Sequence, residues 1–347
     1  MNRKRLSAYG IRVGNMQPGP LDKISDVPGV RVGHATIRDA RHHTGVTVIL
    51  PCEDNMFAKK LTAAGFVLNG FGKTQGLVQI DELGTLETPI ALTNTLNVGV
   101  VHDALVTYMD ARCRADHVPM HSINPVVGEC NDASLNAISD RPVTAAHVMQ
   151  AIECACADFD EGDVGAGAGT VCHGLKGGIG SASRVLTIAG KTYTLGVLVQ
   201  SNHGCLEELT VCGRRLGEEI LARRAQKPQP EPNDRGSIMM VTATDLPVSD
   251  RQLRRIIKRC AVGLARCGSY FGHGSGDVMI GFTTQNRVPH GGMHRVLTQQ
   301  VLTEHTLELA FRAIAEATQE AVLNSLCCAD DVQAENGTVY EGIGRYL

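Results

Sequence analysis

Gly236-Ser237-Ile238-Met239-Met240-Val241-Thr242-Ala243-Thr244 opens on a glycine-serine pair and becomes an apolar, β-favouring run, which predicts a buried strand over 238–244. Before it stand Lys227-Pro228-Gln229-Pro230-Glu231-Pro232 and then Asn233-Asp234-Arg235. Proline fixes φ and cannot donate to a ladder, so 227–232 reads as an exposed linker. That linker delivers a Gly-Ser bond to the edge of a strand. Further on, Gly272-His273-Gly274-Ser275-Gly276-Asp277 leads into a second apolar run, Val278-Met279-Ile280-Gly281-Phe282. Ser275 and Asp277 are two residues apart, a spacing that on a strand puts both on one face. A serine hydroxyl needs a base, and an N-terminal serine carries one in its own α-amine, whose ordinary pKa is about 7.7–8.0. The hypothesis is self-cleavage at Gly236-Ser237, with Ser237 as nucleophile and Ser275 and Asp277 in support. Two ordinary structural turns would account for the same residues.

The chain has 347 residues, 43% of them hydrophobic but only 4% aromatic, with no Trp and 38 Gly. Packing must then rest on aliphatic side chains and close backbone approach, which suits a layered α/β protein. The formal net charge of −3 and the lack of a dense Lys/Arg block give no pull toward nucleic acid or an anionic membrane. Arg251, Arg254, Arg255, Lys258 and Arg259 follow helical spacing and read as a solvated helix face. With no signal-peptide core or bilayer-spanning run, the expectation is a cytoplasmic protein whose twelve cysteines are thiols. Their spacings show no metal-site pattern, so no metal or cofactor is expected.

Strands are expected at 30–34, 44–50, 89–93, 125–129 and 192–200, and helices at 98–112, 144–158, 206–225 and 305–326. A helix opened by a capping box at Ser249-Gln252 should turn Leu253, Ile256, Ile257, Cys260 and Leu264 inward. Gly72-Lys73-Thr74 fails as a phosphate loop because position 67 is Val, and Gly165-Ala166-Gly167-Ala168-Gly169 fails as a dinucleotide fingerprint because position 170 is Thr. That glycine alternation fits a backbone packed tightly against substrate or protein. Glu129, ending an apolar run, reads on pattern alone as an edge charge.

The segment 234–245, the basic helix after it and Gly274-Ser275-Gly276-Asp277 resemble the self-processing aminopeptidases of the DmpA family, which include the β-peptidyl aminopeptidases. Pro18-Gly19-Pro20-Leu21, Asp26-Val27-Pro28-Gly29-Val30, Thr44-Gly45-Val46-Thr47, Leu68-Asn69-Gly70, Thr93-Asn94-Thr95 and Val197-Leu198-Val199-Gln200-Ser201-Asn202 resemble further family segments in the same order.

The resemblance implies an α/β fold, an αββα four-layer sandwich like that of the N-terminal-nucleophile hydrolases. It implies one domain over 1–347, cleaved to 1–236 and 237–347 and assembled as a homotetramer. By the same resemblance Ser237 is the nucleophile and Ser275 and Asp277 orient it. Asn202 stabilises the oxyanion, and Glu129 grips the free amine of a small peptide or amino-acid amide. Asn131 stands where some family members carry an aromatic residue, a departure that bears on substrate preference. Alternatives are an acyl transferase of similar fold, whose relatives use threonine at the cut, and a non-catalytic relative.

Overall fold

The computed structural model describes residues 4–224, 236–291 and 295–347. The expected linker at 227–232 and residues 233–235 lie outside the described residues. The strands are β1 Arg31–Arg38, β2 His43–Leu50, β3 Lys59–Gly70, β4 Thr85–Leu86, β5 Ile90–Asn94, β6 Val126–Cys130, β7 Val171–Cys172, β8 Leu175–Lys176, β9 Ile179–Ile188, β10 Lys191–Asn202, β11 Ser237–Thr244 and β12 Gly276–Pro289. Two short strands follow near the C-terminus. The helices are α1 Leu77–Leu83, α2 Val98–Ala115, α3 Ala145–Glu153, α4 Leu216–Arg224, α5 Asp250–Ile257, α6 Cys260–Ala265 and α7 Leu307–Cys327.

One sheet runs β1-β2-β5-β6 and a larger one β4-β3-β12-β11-β10-β9. The alternation along β11 shows how they stack. Met239, Val241 and Ala243 face the other sheet, meeting Leu92, Val126 and Cys130, while Ile238 and Met240 join a cluster with residues of α5, α6 and α7. A strand at the middle of a sheet covered on both faces is apolar throughout, hence the unbroken run read in the sequence. On the outer face of the smaller sheet, Val46, Val48, Ala91 and Val127 pack on Val101, Leu105, Val148 and Ala151 of α2 and α3. The order is helix, sheet, sheet, helix, the four-layer sandwich expected. Each fully buried aliphatic side chain in these layers contributes roughly 1.5–3 kcal/mol.

Several expectations are adjusted. The helix read over 206–225 is a short 3-10 turn, Leu206–Glu208, followed by α4. The helix opened at Ser249 breaks into α5 and α6, although its five predicted inward residues are all buried. Ser249 Oγ accepts the Gln252 N–H at 3.2 Å, but the Gln252 side chain donates to Leu302 O instead of closing the capping box. The basic face is solvent-exposed at Arg251, Arg254 and Lys258, as expected, and also carries surface contacts. Arg251 and Arg255 pair with Glu304, and the Arg259 guanidinium lies 3.6 Å from the Phe311 ring centre. α7 is buried nearly all round, which permits carboxylates inside because Arg184 of β9 meets Glu316 at 3.2 Å and Glu320 at 2.6 Å.

Candidate active site at the head of the central strands

β11 and β12 run parallel and start at the same level, pairing Ser237 with Gly276 and Ile238 with Asp277. On its other side β11 is antiparallel to β10, which sets Asn202 opposite Ser237. Ladder register alone therefore assembles Ser237, Asn202 and the Ser275-Asp277 turn at one end of the central strands. Gly276 N–H donates to Gly236 O at 3.2 Å, closing the junction. Gly236 is required there by close approach: a Cβ on it would overlap Asn202 O and crowd His203 Cα.

Ser275 Oγ donates to Asp277 Oδ1 at 2.6 Å, and both residues are buried. The shared face read from their spacing is realised, with a register shift against β3 just after Asp277. Asn69 of β3 anchors the turn, donating from Nδ2 to Gly272 O at 2.9 Å and to Ser275 O. Sequence reasoning assigned Asn69 no role. Its one signal in the sequence is its place in Leu68-Asn69-Gly70, one of the segments that carry the family resemblance.

Asn202 is oriented by a neighbour that sequence did not supply. Its Oδ1 accepts the Val171 N–H at 2.9 Å, which leaves the amide NH2 as its other end. Val171 belongs to the β7–β8 hairpin, and Lys176 in that hairpin is fully buried. The Lys176 ammonium donates to Gly167 O at 3.0 Å, Thr170 O at 2.8 Å and Gly177 O at 2.6 Å. Burial pushes its pKa down to about 7, against an opposing pull from Asp163. The glycines at 165–169 thus pack on protein: a Cβ on Gly167 would stand 2.5 Å from Ile179 N, and one on Gly165 2.8 Å from Val46 O.

Glu129 is the penultimate residue of β6 and is buried, with Oε1 accepting Lys73 N–H at 2.9 Å and Oε2 accepting from Thr95 Oγ1. Gly72 bridges it to the strand heads: a Cβ there would lie 3.6 Å from Glu129 Oε1 and 3.8 Å from Gly276 Cα. The segment rejected as a phosphate loop is therefore a cradle for this carboxylate. Lys73 turns its ammonium over the Phe71 ring, 4.8 Å from the centre. Exposed apolar side chains flank this end, among them Phe71, Leu96 and Tyr270. Asn131 follows two residues beyond Glu129. It is exposed, and its Oδ1 accepts the Ala133 N–H at 3.0 Å in a local turn.

The fold also gathers Cys172, His173 and His203, all buried, a grouping that linear spacing did not reveal. Burial holds the His203 imidazole well below its ordinary pKa, and His173 adds to the effect.

Residues 22–340 match Peptidase family S58. The chain is 35% identical over 345 residues to the beta-peptidyl aminopeptidase BapA of Sphingosinicella xenopeptidilytica, covering 94% of this chain and 85% of that protein. Among solved structures, a Burkholderia sp. beta-aminopeptidase superposes with a TM-score of 0.91 at 39% identity, covering 99% of this chain and 96% of that one. The L-aminopeptidase D-Ala-esterase/amidase of Ochrobactrum anthropi, described as a prototype serine aminopeptidase and a variant of the Ntn hydrolase fold, gives 0.88 at 32% identity, covering 97% of this chain and 95% of that one. Since the match runs through both sheets and through the strands that carry Ser237 and Asp277, the chain belongs to peptidase family S58 and is a hydrolase of the aminopeptidase class.

Proposed function

We propose that the chain cuts its own Gly236-Ser237 bond, giving 1–236 and 237–347, and that Ser237 then takes up the N-terminal aminoacyl group of a short peptide, amide or ester. The observation that carries this reading is the register that sets Ser237 between Asn202 and the Ser275-Asp277 pair, with buried Glu129 one backbone segment away. In the uncut chain the Ser237 nitrogen is a peptide nitrogen and cannot serve as base. The Oγ proton then leaves toward Ser275 and Asp277 while Oγ attacks the Gly236 carbonyl carbon. The C–N bond breaks, the proton reaches the departing nitrogen, and water hydrolyses the resulting ester to a Gly236 carboxylate.

In the mature protein the free α-amine of Ser237 accepts the Oγ proton as Oγ attacks the substrate carbonyl. Charge on the carbonyl oxygen develops toward the Asn202 NH2. The proton passes to the leaving amine, and water releases the amino acid from Ser237 by the same steps. Glu129 binds the substrate ammonium, and the exposed Phe71, Leu96 and Tyr270 form an apolar rim for a short side chain. Asn131, two residues beyond Glu129, tunes substrate preference. Val296, Leu297 and Val301 expose apolar surface suited to joining like chains, which we read as a homotetramer. No helix among the described residues is long and apolar enough to cross a membrane, and we place the enzyme in the cytoplasm.

Asn202→Ala is expected to lower kcat by about 10²- to 10³-fold with KM little changed, since the contact strengthens only as charge develops. Steady-state kinetics on an amino-acid p-nitroanilide read this directly. The gripping role of Glu129 is tested by Glu129→Gln on matched substrates with free and acetylated amines. The free-amine substrate should lose about 2–4 kcal/mol in kcat/KM, roughly 30- to 1,000-fold, while the acetylated one is unmoved. Equal losses on both would show that Glu129 does not bind the amine.

A further inference from the structure

We propose that Cys172, His173 and His203 form a site for a divalent transition-metal ion of Zn²⁺ type, next to Asn202 in the chain and using none of the side chains proposed for hydrolysis. Two segments supply the ligands. The β7–β8 hairpin places Cys172 beside His173, and the chain leaving β10 places His203 directly after Asn202. One ligand atom from each residue lies within 4.8 Å of the other two, and all three side chains are buried.

The donor geometry fits a small tetrahedral ion. Cys172 Sγ and His203 Nδ1 are 3.8 Å apart. Zn–S and Zn–N bonds of about 2.3 and 2.0 Å at a near-tetrahedral angle put such a pair about 3.5 Å apart, so only a slight inward movement is needed. His173 Nδ1 lies 2.9 Å from Cys205 O. A carbonyl accepts only from N–H, so the proton sits on Nδ1 and the lone pair on Nε2. This is the outer hydrogen bond that orients metal-binding histidines. Gly204 admits the ring, because a Cβ there would collide with it.

An S–H···N contact between Cys172 and His203 explains one weak interaction but not the convergence of a third donor. One thiolate and two imidazoles suit Zn²⁺, with a fourth position for water. Binding releases the Cys172 thiol proton to solvent. The ligands adjoin both ends of the bond that orients Asn202, since Val171 precedes Cys172 and Asn202 precedes His203.

The test is titration of the full-length, chelator-treated protein with Co²⁺ and then Zn²⁺. The expected result is one Co²⁺ per chain with a thiolate-to-cobalt charge-transfer band that Zn²⁺ abolishes, and a Tm that rises with Zn²⁺. Cys172→Ser should lose the band, and His203→Gln should weaken Zn²⁺ binding by about 10-fold or more. A band that persists in Cys172→Ser, or no band in the wild type, overturns the site. Should the variants fail to fold, X-ray absorption on the wild-type Zn²⁺ protein decides: a shell with one sulfur and two imidazole nitrogens supports it, and a sulfur-free shell refutes it.

Discussion

Ser237→Ala is expected to purify as one uncut chain and to turn over amino-acid amides no faster than background, whereas the wild type yields two pieces meeting between Gly236 and Ser237. A single oxygen is assigned both tasks, so both readouts should fail together. Loss of a nucleophilic serine lowers kcat by roughly 10⁴- to 10⁶-fold, leaving only what the oxyanion group and substrate binding supply. The methyl group of alanine fits where a buried serine stood, so the ladders to β10 and β12 should survive. Intact mass and a steady-state assay on the same preparation check it. A folded variant that still releases product at a tenth of the wild-type rate would remove Ser237 from the mechanism.

Asp277→Asn should come next in size, with kcat lowered about 10³- to 10⁴-fold. The carboxylate is fully buried and accepts the Ser275 hydroxyl at 2.6 Å. An amide of the same shape offers one weaker acceptor and two donors, so the Ser275 proton loses its destination and the pair can no longer take up charge. Processing of the precursor should slow in parallel, because in the uncut chain this pair is the base assigned to Ser237. KM should hold, since the substrate amine is assigned to Glu129 on a different strand. A time course of cleavage by mass, with single-turnover kinetics on whatever matures, reads both. A kcat within tenfold of wild type would show that Ser275 and Asp277 only shape the turn.

How much of this could be read in advance depended on whether the cause was local. Strand β11 was legible because a central strand covered on both faces is apolar at every position. The shared face of Ser275 and Asp277 followed from strand periodicity. β3 and β9 were not seen as strands, because the glycines that let neighbours approach them also dilute their apolar pattern. The support of Asn202 by Val171 depends on a hairpin that only the folded sheet brings alongside. Glu129 looked like an edge charge because its partners, Lys73 and Thr95, are distant in sequence. Ser237, Ser275 and Asp277 were singled out by pattern and Asn202 and Glu129 through resemblance, and ladder register supplies the physical reason why Ser237, Asn202 and the Ser275-Asp277 turn meet.

The strand order β4-β3-β12-β11-β10-β9 puts the two strands of this sheet that follow residue 236 in the middle, between β3 and β10, which precede it. α7, from after the same point, lies across β9 and β10 from before it. A break at Gly236-Ser237 would therefore edit connectivity and leave the architecture in place. The two pieces would be interleaved, and separating them would mean opening the β3–β12 and β10–β11 ladders together. Residues 237–347 made alone would offer water both edges of a two-strand ribbon, a form with little stability of its own. On the proposed cleavage, the new amine terminus would arise only inside a sheet that is already assembled, so the enzyme would have to be finished before it is switched on.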